Sequence, residues 1–152
     1  MKIRKAVPAD AAVIAEFNYK LALETEGLRL DARTVRKGVN ALFRDAGKGI
    51  YYVAETPQGE VAGQLMITYE WSDWRNGNIW WIQSVYVKET FRGRAVFPAL
   101  FRHVKRLAEQ SREICSLRLY VEKHNGRAIR SYLKLGMKKK SYEVLEFEIE
   151  RK

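Results

Sequence analysis

The sequence predicts an α/β chain in which a mixed central sheet is flanked by helices, and three observations point there. Runs of strand length rich in Val, Ile, Tyr and Trp are interspersed with longer segments whose apolar residues recur at helical spacing. Three of the strand-like runs follow one another across short turns in the middle of the chain, which implies antiparallel pairing. Beyond them helix and strand patterns interleave, and a strand-helix-strand crossover makes neighbouring strands parallel. A length of 152 residues suits one domain over 1–152, and 47% hydrophobic residues can build a core that needs neither disulfide nor metal.

Each element has a local cause. Lys2-Ile3-Arg4-Lys5-Ala6 alternates as a short strand, and Pro8 with Asp10 then signals a helix start. Ala11, Ile14, Ala15, Phe17, Leu21 and Ala22 extend that helix to about residue 24. Asp31 is placed to cap a second helix, whose face is Val35, Val39, Leu42 and Phe43, before Ala46-Gly47-Lys48-Gly49 ends it. Ile50–Glu55, Val61–Trp71 and Ile79–Lys88 read as three strands joined by turns at 56–60 and 75–78. From Val96 a helical pattern runs to about Gln110. Leu117–Val121 then reads as a strand, and Asn125 to about Leu135 as a helix stopped by Gly136. Tyr142–Ile149 alternates and predicts a terminal strand.

Charge is distributed unevenly. The chain carries a net +10, yet residues 92–140 alone hold fourteen Lys and Arg against three Glu. A basic third on a nearly neutral remainder suits an anionic ligand, either a phosphorylated small molecule or nucleic acid. Cys115 stands alone, and with His103 and His124 it is too little for a tetrahedral zinc site. Cys115 is expected to be a small buried apolar residue. No apolar run is long enough to span a bilayer and the opening residues lack a signal-peptide core, so the expectation is a cytoplasmic protein with no membrane partner.

Within the basic third, the strand Trp81–Val87 leads through Phe91-Arg92-Gly93-Arg94-Ala95 directly into a helix. Backbone N–H groups at a helix N-terminus lack intrahelical partners, so such a turn is a ready phosphate cradle. Gly93 and Ala95 permit close backbone approach, while Arg92 and Arg94 add charge.

Two stretches carry a resemblance: Ser84-Val85-Tyr86-Val87 followed by Phe91–Ala95, and Leu119-Tyr120-Val121 followed by Asn125-Gly126-Arg127-Ala128-Ile129-Arg130-Ser131-Tyr132-Leu133-Lys134-Leu135-Gly136-Met137. The chain resembles the GNAT superfamily of acetyl-coenzyme A dependent N-acetyltransferases. That pattern is a strand, an Arg/Gln-x-x-Gly-x-Gly/Ala turn and a helix, then Asn-x-x-Ala-x-x-x-Tyr-x-x-x-Gly-Phe/Met. The second stretch matches at every position. The turn departs from the usual run of small residues, with Ala95 and Phe97 at the last two small positions, and Pro98 brings no N–H.

The resemblance implies the GNAT (acyl-CoA N-acyltransferase) fold, acetyl-CoA as cofactor and an amine as acceptor. It implies that the backbone of Arg92, Gly93, Arg94, Ala95, Val96 and Phe97 takes the pyrophosphate. Val85, Tyr86 and Val87 would run beside the pantetheine arm, the main chain of Val85 and Val87 pairing with it as an added strand does. An N–H near Val85 would face the thioester carbonyl. Asn125 would contact the pantetheine or a water, and the Tyr132 phenol would protonate the departing thiolate. Basic side chains would then serve the adenosine 3′-phosphate.

The acceptor side is read from chemistry alone. A neutral amine must attack, so a carboxylate or a water it holds should take the proton, and Glu70 is the candidate, with Gln83 able to hold the water. Glu24, Trp71, Asp73, Trp81 and Gln83 are candidates to line the acceptor pocket, the aromatics through cation–π contact. By simple alternation Trp81, Gln83, Val85 and Val87 share one face. Two other readings stay open: a basic nucleic-acid-binding domain, and a GNAT-shaped regulatory protein that binds the cofactor without turning it over. Nucleic acid is disfavoured because no recognised binding signature is present, and a homodimer is left open.

Overall fold

The computed structural model describes residues 1–151. Its elements, in chain order, are β1 (Lys2–Lys5), α1 (Ala11–Glu26), α2 (Ala32–Arg44), β2 (Ile50–Glu55), β3 (Val61–Ser72), β4 (Gly77–Val87), α3 (Val96–Gln110), β5 (Ile114–Leu119) and α4 (Gly126–Lys134), with single 3-10 turns at Pro8–Asp10 and Glu89–Phe91. The chain divides into two compact units, Met1–Tyr120 and Val121–Lys152.

The first unit is built on one sheet in the order β1-β2-β3-β4-β5. The first three pairings are antiparallel, and β4 pairs with β5 in parallel through the α3 crossover. Both faces are covered. Tyr51 and Val53 of β2 pack with Ile14 and Ala15 of α1 and Val39 and Leu42 of α2, while the residue between them, Tyr52, meets the His103 ring of α3 at a tilt. Leu65 and Ile67 of β3 and Leu100 of α3 are wholly buried. Strand alternation thus sends successive side chains of β2 and β3 into two separate cores.

Local capping agrees with the sequence. The Asp31 carboxylate accepts from the Thr34 N–H at 2.9 Å and caps α2. At the entry to α1 the buried Asp10 accepts from the Val7 N–H at 2.8 Å and from Arg4 at 2.8 and 3.0 Å, and Arg4 reaches Glu55 at 2.7 Å. That arrangement ties β1, β2 and the start of α1 together, and Arg4 holds the Asp10 carboxyl below its usual range.

In the second unit, Asn125 caps α4 by accepting from the Ala128 N–H at 3.2 Å. Residues 137–151 contain no helix or strand, so the terminal strand expected over Tyr142–Ile149 is not formed. Alternation says only that a segment would be half-buried if paired, and a strand needs a ladder partner to exist. Two smaller differences follow the same logic. β5 starts three residues earlier than the pattern suggested. Cys115 is exposed on β5, its Sγ donating to the Asn78 carbonyl at 3.3 Å, and is not buried as expected. Among the described residues no helix is long and apolar enough to cross a membrane.

Candidate functional site

The site begins with an irregularity in β4. Gln64 of β3 opposes Tyr86 and Met66 opposes Gln83, so the single residue Leu65 faces both Ser84 and Val85. This is a β-bulge, with Ser84 at φ 51°. An inserted residue leaves the ladder and reverses the alternation beyond it. The expectation that Trp81, Gln83, Val85 and Val87 share one face is therefore corrected: Trp81 and Gln83 share theirs with Tyr86, because their partners Thr68, Met66 and Gln64 alternate along an unbroken β3. Contacts agree, since Gln83 Nε2 donates to Thr68 Oγ1 at 2.5 Å and Tyr86 packs on Phe17 of α1.

A polar network that sequence reasoning missed surrounds the bulge. The buried Gln64 donates through Nε2 to Asn18 Oδ1 at 2.8 Å and to the Ser84 carbonyl at 3.1 Å. Asn18 Nδ2 donates to the Tyr51 hydroxyl at 3.1 Å, and burial pushes the Tyr51 phenol up. A bulge strains the ladder, and side chains from α1, β2 and β3 hold it in place. The signal in the sequence is that Gln64 alone interrupts the apolar run Val61–Ile67, and the structure buries it wholly.

Beyond the bulge the other edge of β4 is open. β5 pairs with β4 only between Asn78 and Ile82, so Gln83–Val87 have no ladder partner on that side among the described residues. An extended polar chain could add there as a strand.

The open edge leads into the turn that was expected to bind phosphate. Gly93 and Ala95 both lie in the left-handed region, at φ 77° and 56°. Nothing lies within 4 Å of where a Gly93 side chain would begin. Ala95 is the N-cap of α3 and carries no side-chain acceptor for it, and no acidic residue stands in the first turn. Behind the turn, Gly63 lets α3 approach the sheet: a Cβ there would meet Val96 Cγ1 at 2.9 Å and the Tyr86 carbonyl at 3.0 Å. Gly93 thus faces open space just before the N-terminus of α3, and a helix N-terminus favours an anion.

The side chains of the turn's two arginines make contacts within the protein. Arg92 Nη2 reaches Glu24 Oε2 at 2.7 Å, its Nε donates to the Val87 carbonyl at 2.9 Å, and its guanidinium lies 5.3 Å from the centre of the Tyr86 ring. Tyr86 in turn donates to Glu24 Oε1 at 3.2 Å, and burial together with the Glu24 charge pushes its phenol up. Arg92 therefore ties the end of α1 to the start of the turn. Arg94 lies over the Phe91 ring.

The acceptor candidates separate into two places. Glu24 is joined to Tyr86 and Arg92 beside the bulge. Glu70 instead opposes Ile79, six residues before Val85, about 20 Å along the strand. Its carboxylate accepts from Trp81 Nε1 at 3.2 Å and lies 3.6 Å from Arg118, while Trp81 stacks on Tyr120. Trp71 and Trp74 are exposed at the β3–β4 hairpin tip, 60% and 92%, on either side of Asp73. In the second unit, Tyr132 lies on α4 one turn beyond Ala128, on the side of the helix that Asn125 begins. Burial pushes its phenol above the ordinary value.

Known proteins share this fold. The model of the acetyltransferase (GNAT) family matches residues 16–137, a span that includes parts of both units. A solved structure named as a possible acetyltransferase from Clostridium difficile 630 is 46% identical, with a TM-score of 0.92 over 99% of this chain and 98% of that one. A transcriptional regulator from Bacillus halodurans C-125 shares the fold at 20% identity and a TM-score of 0.79, covering 97% of this chain and 99% of that one. So does an acetyltransferase of Trypanosoma brucei, at 17% identity and 0.72, covering 97% and 99%. Among curated proteins no relative matches.

Proposed function

The chain belongs to the acetyltransferase (GNAT) family, and from that premise we propose that it transfers an acetyl group from acetyl-CoA to a primary amine by direct attack in a ternary complex. The observation that carries the reading is the open β4 edge running from the Ser84–Val85 bulge into the left-handed turn and the N-terminus of α3. Such an edge takes an extended amide-bearing arm, and such a turn takes a pyrophosphate. Acetyl-CoA would supply the activated acyl group as a thioester.

The residues divide the work as follows. Main-chain groups of Val85 and Val87 hold the arm alongside β4, and the backbone of Arg92–Phe97 holds the phosphates. The amide of the bulge, held by Gln64, Asn18 and Tyr51, donates to the oxygen on which negative charge develops. Tyr132 protonates the leaving sulfur, and a phenol with a raised pKa is fully protonated at neutral pH, as an acid must be. Glu24, joined to Tyr86 and Arg92, offers a carboxylate to a cationic acceptor. Glu70 stands too far along the sheet to serve as base at the bulge. Gln83, two residues from Val85 and hydrogen-bonded to Thr68, holds in this reading a water that passes the amine's proton on to solvent. The basic residues of 92–140 supply charge for the 3′-phosphate of the cofactor.

Calorimetric titration with acetyl-CoA, paralleled by a short single-stranded oligonucleotide at physiological salt, tests the reading. Saturable one-to-one binding of acetyl-CoA without binding of the oligonucleotide supports it, and the reverse result replaces it with a nucleic-acid function. Tyr132→Phe is expected to lower turnover about 100-fold with little change in acetyl-CoA affinity. Unchanged turnover removes Tyr132 as the acid.

A further inference from the structure

We propose, resting on the acetyl-CoA reading above, that the acceptor is the side-chain amine of a free basic α-amino acid of about lysine length, held through its α-carboxylate by Arg118 and through its α-ammonium by Glu70. The face of the sheet that carries Tyr86 and Gln83 changes character along β3. The apolar cluster under α1 and α2 takes in Met66, but neither Thr68 nor Glu70 beyond it. Thr68 opposes Trp81 of β4, and Trp81 opposes Arg118 of β5, so three strands present a polar and aromatic surface on one face.

Two opposite charges stand side by side there. Glu70 and Arg118 are 3.6 Å apart, with 46% and 23% of their side chains exposed. That is ion-pair range but too long for a hydrogen bond, so it uses none of the guanidinium N–H donors. Glu70 Oε1 accepts from Trp81 Nε1 at 3.2 Å, which orients the carboxylate, and the Arg118 guanidinium lies 6.0 Å from the centre of the Trp81 ring. An α-amino acid carries a carboxylate and an ammonium on one carbon, and so complements this pair: the carboxylate suits the planar fork of Arg118 and the ammonium suits Glu70. Trp81, stacked on Tyr120, gives a methylene chain its apolar floor.

Distance then selects which amine reacts. Trp81 lies four residues from Val85, about 13 Å along β4, so an α-amine bound at Glu70 stays far from the bulge. Six bonds of about 1.5 Å separate the side-chain nitrogen of lysine from its carboxyl carbon, which reaches about 7.5 Å when extended, and the remainder is within the reach of the Arg118 side chain. A diamine of that length would set its far ammonium against Arg118, and a simple amine would use neither charge. The ammonium first loses one proton to solvent. The neutral nitrogen forms its bond to the thioester carbonyl carbon as the C–S bond breaks, Tyr132 protonates the thiolate and is reprotonated from solvent, and the second nitrogen proton leaves through the water at Gln83. The products are the acetylated side-chain amine, the free CoA thiol and one released proton.

Competing acceptors test this, with calorimetric binding of acetyl-CoA as the control. L-Lysine is compared by kcat/KM with the diamine that lacks its carboxylate, with the acid that lacks its α-amine, and with a lysine blocked at both ends. Lysine should exceed each by at least about tenfold, chiefly through KM. Arg118→Gln should bring the ratio of lysine to the diamine near one, and Glu70→Gln the ratio of lysine to the deaminated acid. Circular dichroism checks folding, and either variant decides if the other does not fold. Acetyl-CoA binding without acetylation of lysine, a lysine no better than the diamine, or a preference that survives in folded Arg118→Gln overturns the proposal and leaves the acetyl-CoA reading standing. Absence of acetyl-CoA binding removes that reading and this acceptor with it.

Discussion

The two halves of this chain spend their side chains differently. Every buried side chain among the described residues lies between Ala6 and Ala108, and residues 121–151 contain none. The basic charge is distributed the other way, with half of all Lys and Arg between 92 and 140. In the front, residue identity is explained by packing: two cores on the two faces of the sheet, and a polar network that fixes a bulge. In the back, the run from Asn125 to Met137 follows the family pattern at every position while burying nothing completely.

The largest expected effect would break that contrast if it failed. Leu65→Ala removes a wholly buried side chain between β3 and α3 and should cost about 3 kcal/mol. Leu145→Ala, at 93% exposed, should change the stability of dilute monomer by less than about 0.5 kcal/mol. Urea unfolding of both variants checks the pair. A Leu145→Ala loss that grows with protein concentration would place that residue in an interface between copies.

Next is the corner at Asp10. Asp10→Asn leaves Arg4 with Glu55 alone and should cost about 2 kcal/mol, since a half-buried charge loses its partner. The pH dependence has a definite sign. Arg4 lowers the folded-state pKa of Asp10, so the stabilisation is fully present above the unfolded carboxylate value of about 3.9 and is lost as pH falls through the lower folded value. Acid titration of unfolding free energy should therefore be shallower in Asp10→Asn than in the parent. Equal slopes would exclude the assignment.

Third is the turn. Crowding is not what opposes a side chain at Gly93, since nothing lies within 4 Å; its φ of 77° is. Gly93→Val should cost about 1–2 kcal/mol of local strain. If the backbone there holds the pyrophosphate, acetyl-CoA affinity should fall at least tenfold, about 1.4 kcal/mol. A stability loss without an affinity loss would move the phosphate site elsewhere.

What could be read from the sequence follows the range of the interactions concerned. Helix α2 was legible from Asp31 because the cap contacts Thr34, three residues on. The middle strands and the turn into α3 were legible for the same reason. The bulge was not, because large apolar residues stand on both sides of Ile79–Val87 and the polar pair Gln83-Ser84 puts one residue on each side, so the pattern does not fix the register; only the bulged pairing with β3 shows it. The Arg92–Glu24 pair spans 68 positions, and nothing local to either residue announces it. Glu70 is a candidate base as a carboxylate on the acceptor side, and register alone shows how far from the bulge it lies. The terminal strand failed from the opposite cause: its local pattern is clear, but a strand also needs a ladder partner, and among the described residues none of the five strands pairs with it.

The smallest expected effect separates the strain of the turn from its chemistry. Ala95 holds φ 56° and ψ 30° at the start of α3, a conformation that costs an L-residue about 1 kcal/mol relative to glycine. Ala95→Gly removes that cost but frees the unfolded chain, so the net gain should be about 0.5 kcal/mol. The Ala95 methyl is exposed and contributes little packing to offset this. A pure backbone role predicts acetyl-CoA affinity within twofold of the parent, because the amides keep their directions. If affinity drops while stability rises, the alanine is keeping the turn rigid for its ligand, and the strain at this position is part of how the front of the molecule presents its binding backbone.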